Sequence, residues 1–204
     1  MPGVFGIRTF YLEEYMEYRE FLDFLAIAEK LKCNTRHSWT SSGRHESVAE
    51  HSWRLALMAY LLKDEFPEAD ISKVIVMGLF HDMGEAVTGD IPAFVKTEAD
   101  EITEEGAIEG LLSKLPAKQN EELRSLFGEM KAQESVEAKL YKALDKLEAL
   151  IQHNEADLST WLPLEYDLQM TYGTRECEFS EYIKGLRDTV REDSRRKASI
   201  QDMQ

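Results

Sequence analysis

Apolar residues recur along this chain at three- and four-residue intervals, and no run of alternating β-branched residues interrupts them. That rhythm predicts helices almost throughout. The first covers about residues 11–32, with Phe10, Tyr15, Phe21, Phe24, Leu25, Ala28 and Leu31 forming a broad apolar face. A Ser-, Thr-, Asn- and Gly-rich loop from Cys33 to Glu46 follows. Ser47-Val-Ala-Glu50 reads as a capping box, so a second helix starts there and runs to about Phe66. Pro67 separates it from a third, capped by Asp70, whose apolar run from Ile71 ends in His81-Asp82.

Beyond this pair, Met83 to Pro92 is a glycine-broken loop. Residues 97–115 and 117–130 read as acidic surface helices, the first interrupted at Gly106 and Gly110. A long helix over about 134–155 carries Leu140, Leu144, Leu147 and Ile151 at helical spacing. Two shorter ones are predicted near 160–171 and 179–192, and the last dozen residues form a frayed polar tail. The expected architecture is all-α and single-domain over 1–204, with its core at about 11–192 and the tail at 193–204.

Length and composition agree: 204 residues, 43% hydrophobic and only five prolines, suit one globular core. A net charge of −15 argues against nucleic acid and against an anionic membrane surface as partners. No stretch has the length and apolarity of a membrane span, and the amino terminus lacks the pattern of a signal peptide. Two cysteines, Cys33 and Cys177, make no framework, so the expected setting is the reducing cytoplasm.

The candidate chemistry centres on His81-Asp82. An imidazole beside a carboxylate at the end of a buried helix needs partners, because an unpaired buried polar group costs about 1–3 kcal/mol. His51 lies in line with Leu55, Met58 and Leu62 and so points inward from the second helix. Gly78, one turn before His81, allows another helix to approach closely. Histidine nitrogen with carboxylate oxygen suits one divalent cation, with Co, Mn, Fe, Ni, Zn and Mg all open. Asp145 sits at the edge of the long helix's apolar stripe, where spacing alone leaves it either a ligand or a solvated carboxylate.

On the phosphate side, Lys32, Arg36, His37, Arg44 and His45 gather where no carboxylate occurs between Leu31 and His45. In so acidic a chain this is a candidate anion site, and the Arg36 fork can hold two phosphate oxygens. Glu85 follows His81 by four residues and Asp90 follows Gly89. Both are candidates for proton transfer, and Glu85 is equally a candidate for orienting a metal-bound histidine.

His51, His81-Asp82 and Asp145 together resemble the H…HD…D pattern of the HD-domain metal-dependent phosphohydrolases. Arg36, Ser47-Val-Ala-Glu-His51 and the stretch from His81 to Pro92 narrow the resemblance to the HD-domain 5′-deoxynucleotidases. It covers about residues 15–190. It implies an HD-type helical bundle, a homodimer, and hydrolysis of deoxynucleoside 5′-monophosphates to deoxynucleoside and phosphate. The metal ligands it implies are His51, His81, Asp82 and Asp145, with Arg36, Glu85 and Asp90 catalytic. Arg36, His51, Asp82, Asp145 and the segment Asp90, Ile91, Pro92 and Ala93 would border the nucleotide. One bacterial branch has tryptophan directly after the arginine; here His37 stands there and Trp39 two residues on, and either can shape the sugar pocket. The intervening helices lack the extra histidines of dinuclear members, which implies one metal per site. Two alternatives stay open: another nucleotide substrate (a ribonucleotide, triphosphate or alarmone), or a nucleotide-binding module without turnover.

Overall fold

A computed structural model describes residues 16–201 of the chain, with side chains to residue 199. The centre is a helix, α8 (Val136–Glu155), whose Leu140, Leu144 and Leu147 are fully buried. It begins where Ser135 accepts a hydrogen bond from the Ala138 amide at 3.2 Å. Across it pack α3 (Val48–Leu61) and α4 (Ile71–Phe80), contributing Leu55, Ala59, Val74 and Met77 to one apolar core. Gly78 lets α3 and α4 close on each other, since a Cβ there would collide with Leu55 Cδ2. The expected caps are present. Ser47 and Glu50 form the box that opens α3, and Asp70 accepts from the Lys73 amide at 3.1 Å to open α4.

Several elements differ from expectation. The first predicted helix is broken in two, α1 (Tyr18–Ala28) and α2 (Lys30–Cys33), and α1 buries no residue. Phe21, Leu22 and Leu25 are about half exposed, so only Phe24, Ile27, Ala28 and Leu31 meet the core from this face. The contributions expected of Phe10 and Tyr15 lie outside the described residues. The polar loop that follows holds an antiparallel hairpin, β1 (Thr35–Trp39) and β2 (His45–Ser47), pairing Thr35 with Ser47 and Trp39 with His45. These strands are too short and polar for a two-residue rhythm to announce them.

A one-turn helix, α5 (Glu85–Thr88), occupies the loop after His81 and ends at Gly89, whose φ of 78° favours glycine. Helix α6 (Glu98–Leu112) runs unbroken through Gly106 and Gly110, and α7 (Ala117–Ala132) follows. A single 3-10 turn (Leu158–Thr160), α9 (Pro163–Thr171) and α10 (Thr174–Cys177) lead into α11 (Glu181–Gln201). The carboxy-terminal residues to Gln201 are therefore helical rather than a frayed tail. Ile183 and Ser194 are fully buried. Buried Arg187 gives Nε to the Tyr172 carbonyl at 3.0 Å and Nη2 to the Gln169 carbonyl at 2.9 Å, while Arg191 Nε reaches the Met170 carbonyl at 3.1 Å. Cations thus satisfy carbonyls that the end of α9 leaves open.

Candidate metal centre and adjoining cavity

The α3 capping box sets the first turn so that His51 projects into the core, where it is completely buried. His81 and Asp82 follow the last residue of α4 directly, and Asp145 lies mid-way along α8. The three helices bring these side chains together. His51 Nε2 is 3.2 Å from His81 Nε2, 3.3 Å from Asp145 Oδ1 and 3.9 Å from Asp82 Oδ2. His81 Nε2 is 3.0 Å from Asp82 Oδ2 and 3.8 Å from Asp145 Oδ1. Asp145 is buried rather than a solvated edge carboxylate.

The remaining ring nitrogens have partners elsewhere. His81 Nδ1 donates to the Gly78 carbonyl at 2.9 Å, which fixes its tautomer because a carbonyl only accepts. His51 Nδ1 meets the carboxylate of Glu148, a fully buried residue. In the neutral rings, then, both Nε2 atoms turn lone pairs toward each other and toward two carboxylate oxygens. Four acceptors converge with no donor among them. A cation fits that arrangement, and the nitrogen and oxygen donors match a divalent transition ion.

Electrostatics point the same way. Burial and the Arg36 cation push the His51 imidazole down, yet Glu148 and Asp145 outweigh them and lift it to about 9. Burial would raise Asp82, but His81, His51 and Arg36 hold it well below the usual carboxylate range. Asp145 is likewise held low against burial, chiefly by Lys142 and Lys146. The space between the imidazoles favours positive charge.

Glu85 is buried beside this cluster. Its carboxylate lies with those of Asp82 and Glu104 in a group whose oxygens fall within 4.8 Å of one another, and its Oε2 has no hydrogen-bond partner. Burial, then Asp82 and Asp90, push it up to about 9. Glu148 and Gly78 occupy the Nδ1 positions, which leaves Glu85 free of the histidine-orienting role. Asp90 follows Gly89 and is raised mainly by burial, against the opposing pull of Arg36.

Arg36 joins the centre to a neighbouring cavity. Its Nη1 is 3.5 Å from Asp82 Oδ2 and its Nε is 3.4 Å from Glu46 Oε2. Glu46 is buried, and burial with Glu148 pushes it up to about 7. The cavity, about 310 Å³, is lined by Arg36, His37, Asp90, Pro92, Ala93 and Phe94 on one side and by α8 and α9 on the other. His37 Nε2 stands 3.0 Å from Glu165 Oε1, and its ring meets Phe94 edge-on at 5.5 Å.

Two expectations for this region are corrected. Trp39 is not in the cavity wall: its ring packs on His45 at 4.0 Å, because the hairpin pairs those residues. Ile91 is also absent from the lining, although its neighbours Asp90, Pro92 and Ala93 are in it. Nor do all five basic residues of the loop gather on an anion. Arg44 grips Glu50 at the exposed end of α3 and Lys32 faces solvent, which leaves Arg36 and His37 at the cavity. Sequence reasoning missed Glu46, Glu148 and Glu165. Glu148 had left one sign, a carboxylate four residues from Leu144 on a buried helix. A larger cavity of about 830 Å³ between α6, α7, α8 and α10 meets the centre only at His81 and Lys142.

The HD domain family model matches residues 28–187. The bovine 5′-deoxynucleotidase HDDC2 is 38% identical over 141 residues, covering 67% of this chain and 68% of that protein. The human 5′-deoxynucleotidase HDDC2 is 36% identical over the same length. Among solved structures, a predicted metal-dependent phosphohydrolase from Magnetospirillum magnetotacticum superposes with a TM-score of 0.74 at 28% identity, covering 88% of this chain and 96% of that one.

Proposed function

The chain belongs to the HD domain family, and from that premise we propose that it is a metal-dependent phosphomonoesterase that hydrolyses deoxynucleoside 5′-monophosphates to deoxynucleoside and phosphate. The observation that carries this reading is the meeting of two imidazole nitrogens and two carboxylate oxygens, all acceptors when the rings are neutral, beside an arginine-lined cavity. His51, His81, Asp82 and Asp145 would hold a divalent ion, which would supply Lewis-acid activation at neutral pH.

The protein's own groups do the rest. Arg36, kept cationic by Asp82, Glu148 and Glu46 against the cost of burial, binds and orients the phosphate. Glu148 and the Gly78 carbonyl fix the two imidazoles so that their Nε2 atoms face inward. Glu85 brings a proton to the departing 5′-oxygen, a poor leaving group without one, and Asp90 is the alternative donor. Asp90, Pro92 and Ala93 with His37 border the sugar and base.

No helix among the described residues is long and apolar enough to cross a membrane. The free thiol exposed at Cys33 suits a reducing cytoplasm. A homodimer is consistent with the outward stripe of α3, where Trp53, Leu57, Tyr60 and Leu61 are all exposed.

The test is phosphate release from a panel of deoxy- and ribonucleoside monophosphates, with chelator and then with added Mn²⁺ or Co²⁺. Release is expected only with metal, to favour the deoxy series, and to vanish in Asp82→Ala. Activity that is indifferent to chelation, or that survives Asp82→Ala, overturns the proposal. Release of pyrophosphate or triphosphate from a triphosphate would redirect it to another nucleotide.

A further inference from the structure

The two oxygens of Asp145 have different neighbours. Oδ1 faces the imidazoles of His51 and His81. Oδ2 takes two ammonium groups, Lys142 Nζ at 3.0 Å and Lys146 Nζ at 3.5 Å. Lys146 is fixed in this position by the fold. Its Nζ donates to the Tyr172 hydroxyl at 2.7 Å and stands 4.8 Å from the centre of the same ring. Gly173, at a φ of 70°, lies so close that a Cβ there would come within 2.7 Å of Lys146 Cβ. The Tyr172 carbonyl is in turn held by Arg187 at 3.0 Å. A turn that reads glycine is thus seated on the lysine and carries its hydroxyl partner.

Cations on the outer oxygen of a ligand have two consequences. They keep the carboxylate from turning both oxygens inward, and they oppose further positive charge a few ångströms away. We infer that Lys146, together with Lys142, is a positioning residue that makes Asp145 a one-oxygen ligand and holds down the site's affinity for divalent cations. A carboxylate whose charge is shared in this way leaves more of a bound ion's charge for the phosphate. The inference rests on the ligand set proposed above.

Titrating Mn²⁺ into the metal-free protein, by calorimetry or by electron paramagnetic resonance, tests both and separates them. Lys146→Met keeps the bulk and removes the charge, and is expected to bind Mn²⁺ on the order of ten-fold more tightly than the wild type. Lys146→Arg restores the charge and stays within about threefold of the wild type. Tyr172→Phe frees the ammonium from its hydroxyl partner and shifts affinity the same way by less, which keeps the test intact if Lys146→Met fails to fold. A merely structural lysine would weaken binding when removed, the opposite sign. Affinity in Lys146→Met or Tyr172→Phe that is unchanged or weaker, or an arginine variant that behaves like methionine, overturns the inference. A wild type that binds no Mn²⁺, or an Asp145→Ala variant that binds as the wild type does, overturns the ligand set itself.

Discussion

Replacing Glu148 by alanine probes how His51 is aimed. Glu148 is fully buried, and its carboxylate accepts a hydrogen bond from His51 Nδ1. Without it, the imidazole keeps a buried N–H with no acceptor. The lost charge-assisted bond corresponds to about 1.5–3 kcal/mol of stability. The ring is then free to rotate or change tautomer, either of which turns a proton toward His81 Nε2 at 3.2 Å. Groups that orient metal ligands typically contribute about 10–100-fold in metal affinity or activity. The assay is phosphate release from a deoxynucleoside monophosphate across a range of Mn²⁺ concentrations, with urea unfolding alongside. Glu148→Ala should need about 10–100-fold more metal for half-maximal activity and unfold at lower urea. Glu148→Gln retains an amide oxygen able to accept the same proton and should lie between. A Glu148→Ala activation curve within about twofold of the wild type refutes the orienting role.

Two further predictions concern the scaffold. Gly78→Ala pushes a methyl group into Leu55 where α3 and α4 close on each other, so urea unfolding should show a loss of about 1–3 kcal/mol; equal stability would contradict the close approach. Cys33 is exposed, whereas burial pushes the Cys177 thiol up to about 11. The thiolate is the attacking form and grows only as pH rises toward that value, so at pH 8 a disulfide reagent should titrate Cys33 at once and Cys177 only after denaturation. Rapid reaction of both thiols in the native protein contradicts the assigned burial.

What the sequence made legible was local. The Ser47–Glu50 box, the Asp70 cap and the apolar period of α8 each lie within a few residues of what they control, and all three appear in the fold. His51, His81 and Asp82 could be read because a polar group in an apolar register has to find a partner. Glu148 left only its place one turn after Leu144 on a buried helix, and the residue it serves is 97 positions away. The lysines on Asp145 look in sequence like solvated neighbours on a helix. Resemblance to a branch with tryptophan after the arginine offers Trp39 beside His37 for the sugar pocket, while pairing across a hairpin takes its ring to His45. The carboxy-terminal residues have a polar composition, yet Ser194 fills a buried position and bonds Asn154 and Gln169, contacts that composition does not record.

Those contacts give the final helix an indirect influence over the ligand. Leu168, Gln169 and Tyr172 form part of the cavity wall, and Gln169 and Tyr172 are anchored from behind by Arg187 and Ser194. Helix α11 therefore buttresses a surface it does not itself line. Damage to it would loosen that cavity wall while the His-Asp cluster, seated on other helices, stayed intact.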